Sequence, residues 1–330
     1  MEHLTPARTT ADSENSVQAD QAGPRKFTNP FVTATGEARG HVDLARLETL
    51  WINTGTLCNI ECKNCYIESS PKNDRLAYIS LGEVTAYLDE IEALGMGTRE
   101  IGLTGGEPFM NRETIDIMTL CLERGYNLIV LTNAMRPMMR FKSRLLALRE
   151  RFADQMTLRI SVDHYSRMLH EDERGPRTWL PMLEGLQWLS DNGFSIDIAG
   201  RTRWGENETK LRDGFARLFA EHGIKVDAAS TKQLVLFPEM APEQSVPEIT
   251  TACWGILNVD PNSIMCATSR MVVKRRGADK PSVVACTLLP YSEDFEFAAT
   301  LADSAKRVQL NHPFCSKFCV LGGGSCSAKT

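Results

Sequence analysis

This chain of 330 residues predicts an α/β fold: a partial (β/α)6 TIM-like barrel with a cysteine-rich C-terminal extension. Three observations carry that expectation. From about residue 48 onward, short apolar runs alternate with stretches of helical periodicity, the pattern of repeated βα units. The polar and cysteine-bearing motifs fall just after the apolar runs, and in parallel barrels the C-terminal strand ends are where reactive groups collect. From Thr250 the alternation stops and cysteines become frequent: Cys253, Cys266, Cys286, Cys315, Cys319 and Cys326.

In chain order, the expected strands are Leu50–Thr54, Glu100–Thr104, Asn127–Thr132, Thr157–Val162, Phe194–Ala199 and Gln233–Phe237. Helices fill the gaps. Ser80-Leu81-Gly82-Glu83 reads as a capping box. Val84, Tyr87, Leu88, Ile91 and Leu94 then recur at helical spacing, and Gly95 is the stop signal. Arg112–Arg124 closes at Gly125, Thr178–Asn192 at Gly193 and Glu208–His222 at Gly223, with a further helix over Pro137–Phe152. In the extension, Arg270–Lys274 and Ser282–Thr287 flank a polar turn and read as a hairpin.

The chain divides into a flexible, polar leader over residues 1–40, a core barrel over 41–245 and a cysteine-rich domain over 246–330. A hydrophobic content of 42% and a charged content of 24% are those of an ordinary globular protein. The formal net charge of −5 argues against a general nucleic-acid binder, which needs a basic face to neutralise phosphates. The local run Lys274-Arg275-Arg276 reads as a solvated turn. No signal-peptide pattern or transmembrane stretch stands out, so the expected setting is the reduced cytoplasm without a membrane partner. There, ten cysteines read better as metal ligands than as disulfides.

The most specific chemistry follows the first strand. Cys58, Cys62 and Cys65 stand in the spacing C-x3-C-x2-C, inside a Gly55–Ile79 connection much longer than a typical βα loop. Three thiolates this close can grip one face of a cubane iron–sulfur cluster and leave one iron without a protein ligand, whereas four cysteines per cluster is the usual supply. Zinc, with a distant fourth ligand, stays open on spacing alone. After the second strand comes Gly105-Gly106-Glu107-Pro108, where the glycines allow close backbone approach and the carboxylate can bind an ammonium group. The third strand ends in Thr132-Asn133, a pair that either lines the cavity or begins the loop. The fourth ends Ser161-Val162-Asp163-His164, and alternation along the strand puts Ser161 and Asp163 on one side. His164 and His170 read as loop or capping residues, and Cys121 as core.

Cys58 to Tyr66, read with Gly105–Pro108 one strand later, resembles the signature of the radical S-adenosylmethionine (SAM) superfamily. The stretch from Ser161 to Gly175 is similar to its peptide-maturase branch, and the C-terminal cysteines are similar to the SPASM and Twitch extensions that carry auxiliary 4Fe–4S clusters. The resemblance implies a 4Fe–4S cluster on Cys58, Cys62 and Cys65, and SAM cleaved by one electron to methionine and a 5′-deoxyadenosyl radical that takes hydrogen from a substrate. It assigns Gly105, Gly106, Glu107 and Pro108 to the SAM amino group, Ser161 to the ribose, Asp163 beside it to the cofactor site, and either Arg174 or Arg201 to the SAM carboxylate.

By the same resemblance, Cys253, Cys266, Cys286, Cys315, Cys319 and Cys326 would ligate at least one auxiliary cluster, with structural zinc as the alternative. Their spacing departs from the full two-cluster pattern, so the ligand set and cluster count stay open. The implied activity is oxidative modification of a peptide or protein, with flavodoxin or ferredoxin as reductant. A dehydrogenase or biosynthetic enzyme acting on a small molecule is the alternative. A non-catalytic iron–sulfur scaffold or electron carrier is the alternative of another class.

Overall fold

The computed structural model describes residues 25–239 and 246–324. Its strands are β1 (His41–Val42), β2 (Thr49–Asn53), β3 (Glu100–Thr104), β4 (Asn127–Thr132), β5 (Met156–Ser161), β6 (Ser195–Arg201), β7 (Leu234–Phe237), β8 (Ser269–Val273), β9 (Ser282–Val284) and β10 (Val308–Gln309). The α-helices are α1 (Leu81–Leu94), α2 (Thr114–Glu123), α3 (Arg136–Met139), α4 (Lys142–Phe152), α5 (Arg167–Arg174), α6 (Trp179–Asp191), α7 (Glu208–Glu221) and α8 (Cys253–Leu257). One mostly parallel sheet runs in the order β7-β6-β5-β4-β3-β2-β8-β9, and only its last pair, β8–β9, is antiparallel. β1 and β10 form a separate antiparallel pair.

The six expected barrel strands are β2 to β7, each within two residues of its expected ends. Along β2, Leu50 and Ile52 join the apolar layer under the helices, while Trp51 points into the barrel with Ile129 and Met271. That alternation is what a strand covered on both faces requires. The N-terminus of α1 carries the expected capping box, and Gly95 closes the helix in the left-handed conformation at φ 58°.

Three features of the helices and strands differ from expectation. The helix expected over Pro137–Phe152 is two, α3 and α4, interrupted at Arg140 and Phe141. The stretch after Asp163 contains a helix, α5, that apolar periodicity did not announce because its sequence is RMLHEDER. The hairpin of the extension forms as β8–β9, but β8 also pairs parallel with β2, so the extension continues the barrel sheet.

Residues 1–24 lie outside the described residues; from residue 25 onward the expected leader is anchored. The buried Arg39 binds Glu248 at 2.6 Å and also donates to the carbonyls of Asn29, Val32 and Leu310. Nor is the basic run a purely solvated turn: Lys274 pairs with Glu83, Arg275 with Glu296 and Arg276 with Asp74. Among the described residues, no helix is long and apolar enough to cross a membrane.

Candidate active site

The site is assembled where the parallel strands end. After β2 the chain enters the cysteine loop, which β3 fixes from one side. Gly106 donates its N–H to the Gly55 carbonyl at 2.8 Å, and Glu107 donates to the Leu57 carbonyl at 3.2 Å. A Cβ on Gly106 would collide with the carbonyl of Leu57, and Gly105 sits at φ 140°, a conformation that side chains other than glycine's avoid. The two glycines thus let the Gly105-Gly106 turn lie flat against the start of the cysteine loop.

α5 holds the same loop from the other side. Its Glu173 is fully buried and accepts from the Asn64 backbone N–H at 2.9 Å and from Asn64 Nδ2 at 2.7 Å. Arg203 reaches the same carboxylate at 3.1 Å, and Lys63 donates its backbone N–H to the Glu173 carbonyl. Sequence reasoning missed Glu173, since one acid in a charged run looks like a solvated face; only its tertiary setting shows its use.

Between these supports lies a cavity of about 200 Å³. Cys58, Cys62 and Cys65 border it together with Gly105, Gly106, Asn133, Ser161, Asp163, Arg174 and Arg201. Residues singled out separately along the sequence therefore meet in one place. Glu107 and Pro108 do not line it: both are buried one layer behind. Glu107 turns its carboxylate to the end of β4, where it accepts from the Thr132 hydroxyl at 2.8 Å, the Asn133 N–H at 2.9 Å and the Phe109 N–H at 3.2 Å. Burial pushes its carboxyl up to about 7, against the pull of those donors. The open reading of Thr132-Asn133 resolves toward the site, because both residues border the cavity.

Asp163 lies between two arginines. Arg174 Nε stands 2.6 Å from its Oδ2 and Arg201 Nε 3.2 Å from its Oδ1. Burial opposes ionisation of Asp163, but the two guanidinium groups outweigh it and hold the carboxyl below the usual range. Arg201 also lies over the ring of Tyr66 at 4.8 Å and donates to the Asn64 carbonyl at 3.0 Å. Both candidate cations thus belong to one rigid polar wall.

Another part of the lining is apolar. Trp51, Leu131, Phe237, Leu288 and Phe318 line it, and Phe237 stacks on Phe318 with centroids 5.6 Å apart. Deeper in the barrel, Arg159 of β5 pairs with Asp197 of β6 at 3.0 Å. Sequence reasoning had not singled out this buried pair either.

The donor set suits an iron–sulfur cluster: three soft thiols border one cavity. Burial raises the Cys58 thiol to about 12 and the Cys62 thiol to about 11, so both stay protonated until a metal displaces the protons. Among the described residues, no three His, Cys, Asp or Glu side chains converge on a single-ion site, here or in the extension. In the extension, Cys266 and Cys315 are buried in one apolar cluster, with Cys253, Cys286 and Cys319 packed against it. Burial raises the Cys315 thiol well above its ordinary value, and the nearby Cys286 and Cys266 add to the effect. Cys326 lies outside the described residues. Cys121 is in the core of α2, as expected. His164 accepts from the Ser166 N–H at 2.9 Å, a local capping role, while His170 is buried on α5.

Comparison with known proteins agrees with this geometry. Residues 52–209 match the model of the radical SAM superfamily. The chain is 28% identical over 174 residues to the antilisterial bacteriocin subtilosin biosynthesis protein AlbA of Bacillus subtilis (strain 168), covering 51% of this chain and 37% of that one. It is 30% identical over 106 residues to the S-adenosylmethionine-dependent nucleotide dehydratase of Selenomonas ruminantium, covering 32% and 35%. The matches thus span little more than a third of the length of these two relatives.

Among solved structures, Streptococcus suis SuiB bound to S-adenosylmethionine aligns with a TM-score of 0.56 at 12% identity, over 77% of this chain and 64% of that one. The histidine-tagged anSMEcpe with bound AdoMet aligns with a TM-score of 0.56 at 13% identity, over 78% and 77%. At such identities the likeness is one of fold. Residues 52–209, which build most of the barrel and the cysteine-lined cavity described above, are the part of the chain that matches the radical SAM superfamily.

Proposed function

We propose that the protein is a cytoplasmic radical SAM enzyme that oxidatively modifies a peptide or protein. The observation that carries this reading is the single cavity bordered by Cys58, Cys62, Cys65, Gly105, Gly106, Ser161 and the Asp163–Arg174–Arg201 group. The three cysteines would hold a 4Fe–4S cluster, which supplies, together with SAM, a one-electron route to hydrogen abstraction. The protein's own part is binding and exclusion. Two arginines fixed on Asp163 offer cationic N–H donors suited to the SAM carboxylate. Ser161 offers a hydroxyl, and the Gly105-Gly106 backbone a close approach. Glu107 acts from behind, by bracing Asn133. The apolar wall with Phe237 and Phe318 keeps water from the reacting centre.

AlbA is by its name a bacteriocin biosynthesis protein, and the fold is shared with Streptococcus suis SuiB bound to its precursor peptide SuiA, which favours a peptide substrate. The match to a nucleotide dehydratase favours the second reading, a small-molecule substrate. The cysteines of the extension, Cys253, Cys266, Cys286, Cys315 and Cys319 with Cys326, would hold at least one auxiliary cluster, and flavodoxin or ferredoxin would deliver electrons.

The test is 5′-deoxyadenosine formation from SAM by anaerobically reconstituted, dithionite-reduced protein. The reading expects product, and none from a Cys58/Cys62/Cys65→Ala triple variant. Equal product from both would exclude this cavity as the site. Mass change in a peptide, against a nucleotide offered in parallel, separates the two substrate readings.

A further inference from the structure

The sequence left Asn133 without an assigned task, and its surroundings are more constrained than a loop residue needs. Its side-chain Oδ1 accepts from the Met135 N–H at 3.0 Å, which turns Nδ2 toward the cysteine loop. There Nδ2 lies 2.9 Å from Asn59 Oδ1 and 3.9 Å from Cys58 Sγ, a range at which the larger sulfur atom still accepts. Asn59 is fixed in turn, because its own Nδ2 faces Met135 Sδ at 3.8 Å.

The backbone beneath is locked. Asn133 N–H and the Thr132 hydroxyl both donate to Glu107, and the Ala134 N–H donates back to Thr132 Oγ1 at 3.1 Å. Ala134 holds φ 57°, a left-handed conformation costly for a residue with a Cβ. The turn fits against α6 only because Gly185 has no side chain to meet the Ala134 carbonyl. Strain of this kind persists where the surroundings over-determine the backbone, and here the result is one aimed carboxamide.

We propose that Asn133 is a positioning residue, braced by Glu107, whose side-chain N–H···S bond to Cys58 raises the reduction potential of the cluster. The proposal rests on the radical SAM reading above. A donor on a cluster sulfur draws electron density from it and favours the reduced state, one of the protein's levers on potential. Cys65 receives a comparable bond from the Ser69 backbone N–H at 3.3 Å, which no side-chain replacement can remove. Asn133 is therefore the lever that a substitution can reach.

The experiment is an EPR-monitored redox titration of the reconstituted full chain. It follows the signal that disappears in the Cys58/Cys62/Cys65→Ala variant. At a fixed potential, Asn133→Ala should lower the reduced-to-oxidised ratio about tenfold, roughly 59 mV for one electron, at unchanged iron per chain. Asn133→Asp should lower it further, since a carboxylate repels the thiolate. Asn133→Leu, which keeps the volume of the side chain and has no donor, should move it as Asn133→Ala does. An unshifted potential in iron-loaded Asn133 variants would overturn the proposal. If no Asn133 variant holds iron, pulsed EPR of the parent carrying 15N-labelled asparagine decides: absence of coupling between an asparagine side-chain nitrogen and the reduced cluster overturns the proposal equally. Failure of the radical SAM reading itself would appear earlier, as a parent protein without the cluster signal.

Discussion

Buried polar side chains do most of the work at the level of single residues, and His170 shows how such a group couples to pH. Its ring is fully buried, meets Trp179 edge-on with centroids 5.3 Å apart, and has no hydrogen-bond partner at either nitrogen among the described residues. Burial, aided by the nearby Arg174 charge, lowers its pKa to about 4. The unfolded chain keeps an ordinary histidine that titrates near 6.5, so it binds more protons than the folded chain between those values. The contribution to stability is therefore complete above pH 6.5 and is lost as pH falls toward about 4, by up to about 3 kcal/mol. His170→Phe should keep the contact with Trp179 and lose less stability between pH 7 and pH 5 than the parent. Parallel thermal unfolding at the two pH values checks this, and identical losses would count against it. The sequence alone offered His170 only as a loop or capping residue, because burial of a histidine in a charged stretch leaves no local trace.

At the level of elements, α5 clamps the cysteine loop. Replacing Glu173 by Ala leaves Arg203 and the donors of Asn64 facing an emptied, buried position. Breaking a buried charged group in this way costs about 3–5 kcal/mol. Glu173→Ala should therefore lower the melting temperature and weaken iron retention together, whereas Glu173→Gln, which keeps one acceptor, should do less. Equal effects of the two would argue that the charge is irrelevant. The extension gives the second element-level prediction. Replacing both Cys315 and Cys319 by Ala should lower iron per chain while the signal of the first cluster stays; unchanged iron would remove the auxiliary cluster from the account. Elements were legible from the sequence where apolar period and cap chemistry agreed, as in β3, β4 and α1. They were not where polar residues did the packing, as in α5, or where a short turn broke a continuous helical pattern, as between α3 and α4.

For the whole molecule, the barrel and its motif-bearing ends were readable because each βα unit is local. The pairing of β8 with β2 was not, since it joins residues more than 200 positions apart and only the assembled sheet rewards it. That pairing matters for the site. It brings Leu288 and Phe318 of the extension over the mouth of the barrel, so one cavity has a polar wall from the core and an apolar wall closed by the extension. The glycine pair, the cysteine loop, α5 and the extension thus meet around a single centre.

That convergence is tested most directly by EPR of the dithionite-reduced, reconstituted protein before and after SAM is added. The expected result is a reduced 4Fe–4S signal whose line shape changes with SAM and which is absent from the Cys58/Cys62/Cys65→Ala variant. A signal indifferent to SAM, or one that survives loss of these three cysteines unchanged, would contradict it.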